Sequence, residues 1–230
     1  MDLLQAIKER HSVRNYLDKP IEAEKVAIIR QLIDDCNRES GLHIQLVLDE
    51  PLAFSTGIFS YGKFTGVKNY IAVVVPKQGK HDEAIGYYGE KIVLLMQTLG
   101  LNTCWVGLTY KNIKNAYFLN EGESLKLVIA CGYGEDGGVP HPQKKPITNF
   151  YRDKRGTTDP MPEWFQRGME AVLLAPTAVN QQKFLFTLLP DNKVHAKAKF
   201  DFIGYSHIDL GIVKYHFELA AGKENFSWED

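Results

Sequence analysis

The sequence predicts an α+β fold made of two related halves, and three observations predict it. Apolar stripes at helical spacing recur along the chain, at Val26, Ile29, Ile33 and Cys36 and again at Ile85, Tyr88, Ile92, Leu95 and Leu99. Short β-branched runs lie between the stripes, the clearest being NYIAVVV at residues 69–75, closed by Pro76. The helix–loop–strand order of residues 26–49 then recurs at residues 165–191. The 230 residues are 44% hydrophobic and 24% charged, which suits one globular domain or two small halves sharing a core.

The elements follow in order. Leu3, Leu4 and Ile7 mark a short helix that ends just before Glu9-Arg10-His11-Ser12-Val13-Arg14-Asn15-Tyr16. Residues 20–38 read as a helix with Pro20 near its start and Ser40-Gly41 as its stop. Residues 43–48 alternate and form a strand. Residues 54–66 are rich in glycine and aromatics without a period, which fits a binding loop or a structural one. Residues 81–99 form the central helix, stopped by Gly100. Residues 101–109 read as a short strand or a strand-ending loop, residues 125–131 as a strand, and residues 132–160 as a long connection. The second half places a helix at 162–174, strands at 184–189 and 194–202, and a helix at 208–221 stopped by Gly222. Within the repeat, Gly89 and Gly100 match the spacing of Gly211 and Gly222. The division falls at residues 1–160 for the first half and 161–230 for a shorter, degenerate second half.

Composition narrows the function. The net charge of −1 with mixed signs gives no sign of a nucleic-acid or membrane surface. The three cysteines, Cys36, Cys104 and Cys131, are widely spaced without CxxC, which argues against a disulfide framework or a zinc site. Each sits among apolar residues and reads as a small core residue in a reducing compartment. Asp2, Lys8, Glu9 and Arg10 leave no room for a signal-peptide apolar region, and no apolar run could span a bilayer, so a cytoplasmic location is expected.

Two stretches carry chemistry. If residues 10–14 are extended, Arg10, Ser12 and Arg14 point to one side, because side chains alternate along a strand. Two guanidinium forks and a hydroxyl then make a phosphate clamp, although a solvated charged turn also fits the spacing. Far away, Ala175-Pro176-Thr177-Ala178-Val179-Asn180-Gln181-Gln182 offers small hydroxyl and amide groups that can bond a planar heterocycle and its hydroxylated chain. Alone, it is only a polar loop.

Together the two stretches resemble the Arg-x-Ser-x-Arg and Ala-Pro-Ser-x-x-Asn-x-Gln motifs of the FMN-dependent nitroreductase family. With GLNTCWVG and DLGIVKYHFELAAG the resemblance covers nearly the whole chain, and it is to the single-chain, pseudo-dimeric branch. It implies a central, mostly antiparallel sheet flanked by helices, with two pseudo-repeated halves forming an intramolecular pseudo-dimer around one flavin site. It carries the FMN phosphate and nearby ribityl contacts to Arg10, Ser12 and Arg14, with His11 contributing through backbone or ring. It carries the approach to the same flavin to Pro176, Thr177, Ala178, Asn180 and Gln182. Thr177 keeps the hydroxyl of the family serine, while Ala178 and Gln181 depart from the commonest pattern. Trp105, Val106 and Gly107 are expected to run their backbone along one flavin face, with Trp105 itself packing in the core. Lys63, with Tyr61, would reach the ring, and Lys144 or Lys145 would complete the phosphate site.

The implied activity is an FMN-dependent oxidoreductase. NADH or NADPH would give hydride to FMN, and the flavin would reduce a small organic acceptor such as a nitroaromatic or quinone. No Gly-x-Gly-x-x-Gly follows a strand, so a transient donor without its own Rossmann site is expected. The rival readings are a non-turnover flavin-binding or sensing protein, and a flavin-destroying or dehalogenating relative. A pseudo-dimer is expected to be a monomer rather than a homodimer.

Overall fold

The NYIAVVV run lies inside a sheet, in the computed structural model, which describes residues 1–55, 63–135 and 145–229. The chain runs α1 (Leu3–Glu9), α2 (Ala23–Ser40), β1 (His43–Val47), β2 (Asn69–Pro76), α3 (Asp82–Thr98), β3 (Asn102–Val106) and β4 (Glu123–Gly132). It continues through β5 (Tyr151–Asp153), α4 (Glu163–Leu174), β6 (Phe184–Leu188), β7 (Lys193–Ala198), α5 (Ser206–Ala221) and β8 (Ser227–Trp228). The architecture is α+β, with five α-helices and two four-stranded sheets among the described residues. No helix among them is long and apolar enough to cross a membrane. The chain divides into two compact units that interleave in sequence. The first comprises Met1, Glu9–His81 and Ile92–Pro140, and the second Asp2–Lys8, Asp82–Lys91 and His141–Asp230.

In the first unit the strand order is β1-β2-β4-β3, antiparallel throughout. Seven of the eight residues of β2 are buried, because both of its faces are covered, and this is why its sequence does not alternate. One face packs Tyr70, Ala72, Val74, Cys104, Val106, Val128 and Ala130 with Val13, Tyr16, Phe54 and Phe64. The aromatic ends of the loop at residues 54–66 are therefore core, with the Phe54 and Phe64 rings 5.0 Å apart; its centre, including Tyr61, lies outside the described residues. Helix α2 begins three residues later than expected. Leu17 donates its N–H to the Tyr133 carbonyl, and Glu22 is still extended at ψ 141°. The helix ends at Gly41 in the left-handed region (φ 71°), and the Asn37 side chain bonds both the N–H and the C=O of Ile44, which fixes the turn into β1.

In the second unit the order is β5-β6-β7-β8. The β6–β7 hairpin is antiparallel, and the two short outer strands pair parallel to it. Phe150, Phe165, Phe184, Phe186 and Phe217 are all fully buried and form its aromatic core. Strands β5 and β8 were not expected; at three and two residues they are too short to show a period. Strand β7 stops at Ala198 instead of running to 202, and Phe200 and Phe202 beyond it are exposed. The buried His216 ring joins three helices, bonding the Ala171 carbonyl through Nδ1 (3.1 Å) and Glu90 through Nε2 (2.9 Å).

The repeat survives as element order, α2–β1–β2–α3 against α4–β6–β7–α5. Its register shows in the second unit, where the first half of α3 crosses α5 at two glycines. A Cβ on Gly86 would overlap the Ile208 carbonyl oxygen and sit 2.9 Å from the Ile212 nitrogen. A Cβ on Gly211 would overlap the Glu83 carbonyl oxygen and sit 2.7 Å from the Tyr87 nitrogen. Each glycine thus meets the carbonyl three residues before the other and the amide one residue after it. Exchanging the helices maps the contact onto itself, so Gly211 corresponds to Gly86 here, three residues from the Gly89 that sequence spacing paired with it.

Candidate functional site

The residues singled out from sequence divide between the two units. In the first, residues 10–16 are extended, as the alternation argument required. Ser12 bridges Thr103 in parallel, Val13 N–H donates to the Thr103 carbonyl (3.1 Å), and Asn15 and Tyr16 bridge Thr65 and Gly134. Val13 and Tyr16 turn into the core. Arg10, Ser12 and Arg14 all act on the Cys104 thiol. Burial pushes that thiol up, while the Arg14 charge, a bond from the Ser12 hydroxyl and the Arg10 charge all pull it down. Arg10 is 6% exposed and Arg14 is exposed, so the trio runs from the interior to solvent.

His11 is buried beside them. Its Nδ1 donates to the Glu9 carbonyl (3.0 Å), and its Nε2 has no hydrogen-bond partner among the described residues. A buried ring nitrogen without a partner is costly unless a polar group meets it. Two guanidinium groups and a hydroxyl form a donor set suited to a phosphate monoester, and Nε2, the acceptor of a ring whose proton is on Nδ1, suits a hydroxyl donor beside it. Lys63 is exposed, two residues before Thr65, whose N–H donates to the Arg14 carbonyl (2.9 Å). On β3, Trp105 is half-buried and Val106 is buried in the core; Gly107 follows the strand, half-buried.

In the second unit, Pro176, Thr177, Ala178 and Asn180 are half-buried and Gln182 is buried. The loop is tightly wound: Val179, Asn180 and Gln182 all adopt positive φ (46°, 53° and 50°). For a β-branched residue such as Val179 that conformation is strained. Several bonds hold it. The Thr177 hydroxyl oxygen accepts the Gln182 N–H (3.1 Å), leaving the hydroxyl proton to donate elsewhere. Asp209, in the first turn of α5, accepts the Ala178 N–H (2.9 Å) and the Gln181 side-chain amide (2.8 Å). Gln181 also reaches Asp201 (3.1 Å). Lys144 lies outside the described residues, and Lys145 is exposed in the second unit.

Asp209 and Asp201 are the residues that sequence reasoning missed. Asp209 was visible as the acid that opens the DLGIVKYHFELAAG stretch, and Gln181 as a departure from the family pattern. Burial pushes the Asp209 carboxyl up to about 6, and the nearby Asp201 adds to the rise, against the pull of Gln181 and Ala178 N–H. Burial also raises Asp201, but the Gly204 N–H, Gln181 and Ser206 outweigh it and leave that carboxyl low. Because Asp209 binds its proton more tightly in the folded chain, its contribution to stability is present below pH 4 and is lost as pH rises through about 6. The expected size is up to about 3 kcal/mol. Asp209→Asn is expected to flatten the decline in melting temperature between pH 4 and 7; an unaltered pH profile would show that Asp209 is not its source.

Residues 2–221 match the sequence profile of a family described as "Putative TM nitroreductase". A Thermotoga maritima protein described as "a putative nitroreductase" has a TM-score of 0.67 at 22% identity, over 96% of this chain and 83% of its own. A Desulfovibrio desulfuricans protein described as "a putative nitroreductase in complex with FMN" has a TM-score of 0.51 at 22% identity, over 70% of this chain and 99% of its own. A Bacteroides thetaiotaomicron protein described as "Putative NADH dehydrogenase/NAD(P)H nitroreductase" scores 0.50 at 21% identity, over 64% and 94%. Among curated proteins, none matches. The solved structures show that the fold is nitroreductase-like.

Proposed function

The chain belongs to the TM nitroreductase family, and from that premise we propose that it is an FMN-dependent oxidoreductase using NADH or NADPH to reduce a small organic acceptor. The observation that carries the proposal is the extended segment at residues 10–16, which sets a buried Arg10 and an exposed Arg14 on either side of the Ser12 bridge to Thr103, next to a buried His11 Nε2 with no partner among the described residues. Arg10 and Arg14 would bind the phosphate through their paired N–H groups and Ser12 through its hydroxyl, while His11 Nε2 would accept from a ribityl hydroxyl. Thr177, Asn180 and Gln182 would meet the polar edge of the flavin, with Pro176 and Ala178 shaping that loop. Backbone groups around Trp105, Val106 and Gly107, with Lys63, would lie toward the ring. When bound, FMN supplies the hydride acceptor and donor, and the protein supplies orientation and charge.

The matched contacts of Gly86 and Gly211 support reading the chain as a duplicated, pseudo-dimeric monomer with one flavin site. The purified protein is expected to carry about one FMN per chain and to bleach under anaerobic NADH or NADPH. Two flavins per chain would contradict the single site. Retained flavin that neither donor bleaches would leave a binding protein without turnover.

A further inference from the structure

One side of the β6–β7 hairpin in the second unit gathers lysines opposite one another. In the β6–β7 hairpin Phe184 faces Ala198 and Leu185 faces Lys197. Just beyond, Lys199 N–H donates to the Lys183 carbonyl (2.8 Å), so these two residues are also opposite. On β5, Arg152 faces Thr187. Since alternate residues share a face, Lys183, Leu185, Thr187, His195, Lys197, Lys199 and Arg152 lie on one side. The other side holds Phe184, Phe186, Leu188, Val194 and Ala196, all buried. Lys193 and, opposite it on β8, Ser227 continue this side, and Glu229 just beyond pairs with Lys193 (2.9 Å) rather than with the other cations of the hairpin.

The nearby carboxylates are engaged elsewhere. Asp153 pairs with Arg155 (2.7 Å), Glu229 with Lys193 (2.9 Å), and Asp201 bonds Gln181 and Gly204. Arg152, Lys145, Lys183 and Lys197 all repel the partly buried Lys199, whose ammonium is pushed down first by burial and then by these charges. Like charges gathered without counter-charge weaken a fold, and a bound anion relieves the repulsion.

The position of this face suggests which anion. Lys183 directly follows Gln182, the last residue of the loop proposed to meet the flavin. With about 3.3 Å per residue along a strand and about 4.8 Å between strands, the cations lie within roughly 15 Å of that loop. A dinucleotide whose nicotinamide end is at the flavin can span that distance with its adenosine end. NADPH differs from NADH only in a 2′-phosphate at that end, a dianion that Lys and Arg hold well.

We propose that Arg152, Lys183, Lys197 and Lys199 bind the adenosine 2′-phosphate of the donor and select NADPH over NADH. The proposal rests on the FMN-dependent reading for its donor, but its test separates the two. Calorimetry on the FMN-loaded protein compares 2′,5′-ADP with 5′-AMP. The first is expected to bind about tenfold more tightly, from one or two charge-assisted bonds. That preference should weaken with added salt and vanish in Lys197→Glu/Lys199→Glu. In flavin bleaching, kcat/KM for NADPH should exceed that for NADH by a similar factor, and the same double variant should remove the difference through KM. Both positions are on the solvent side of a sheet, so circular dichroism should show the variant folded. Equal affinities for the two nucleotides, or a preference that survives charge reversal, would overturn the phosphate site. If neither donor bleaches the flavin while 2′,5′-ADP is still preferred, the oxidoreductase reading fails and the phosphate site stands.

Discussion

Gly211→Val is expected to destabilise the second unit by about 4 kcal/mol or more, beyond ordinary overpacking because the clash is with backbone. A side chain there meets the carbonyl of Glu83 and the amide of Tyr87, neither of which can rotate away. Helices α3 and α5 would have to separate, and with them the buried His216–Glu90 contact. Denaturant unfolding is the measurement, read from the midpoint. The local two-fold relation adds a sharper requirement: Gly86→Ala and Gly211→Ala should cost similar amounts. Markedly unequal costs would mean that the crossing is not symmetric, and an unmoved midpoint in Gly211→Val that the helices are not in contact there.

Arg10→Ala should weaken FMN binding about a hundredfold, the equivalent of roughly 3 kcal/mol in charge-assisted bonds. Arg10 is the most enclosed member of the trio at 6% exposure, so its guanidinium works with little competition from water. Arg10→Lys keeps the charge but loses the planar fork, and should fall between the two. Flavin fluorescence titration reads the affinity, and a thermal melt of the flavin-free protein reads the fold. An affinity that does not change would remove Arg10 from the phosphate site.

What the sequence disclosed follows from how far each signal reaches. β2 was legible because burial on both faces leaves a continuous apolar run, whereas in residues 10–16 strict alternation fails by Tyr16, which turns into the core with Val13. The repeat was legible in order but not in register. Helical positions three apart lie on the same face, so two similar helices can be slid by three residues with most apolar positions still matched. Only the close backbone approach at Gly86 and Gly211 selects the true alignment. The loop at residues 177–182 was found, but its support was not. Gln181 looked like a departure from a pattern until the fold placed Asp209, 28 residues on, against its amide. β5 escaped because its partner β6 lies more than thirty residues away in sequence.

The extended N-terminal segment has a consequence for how the protein is made. Ser12 pairs beside Thr103 on β3, the outer strand of its sheet, and Tyr16 pairs with Gly134. During synthesis this segment leaves the ribosome before its partners, the last of which follows more than a hundred residues later. At ordinary elongation rates that is a wait on the order of ten seconds. α1 waits longer, since it belongs with the unit that holds the last third of the chain. If β3 and β4 pair before residues 10–16 dock, the bare edge of β3 can recruit a strand from another nascent chain. Contacts this distant also slow folding, so the same arrangement that places Arg10, Ser12 and Arg14 lengthens the time for which the edge of β3 waits for its cover.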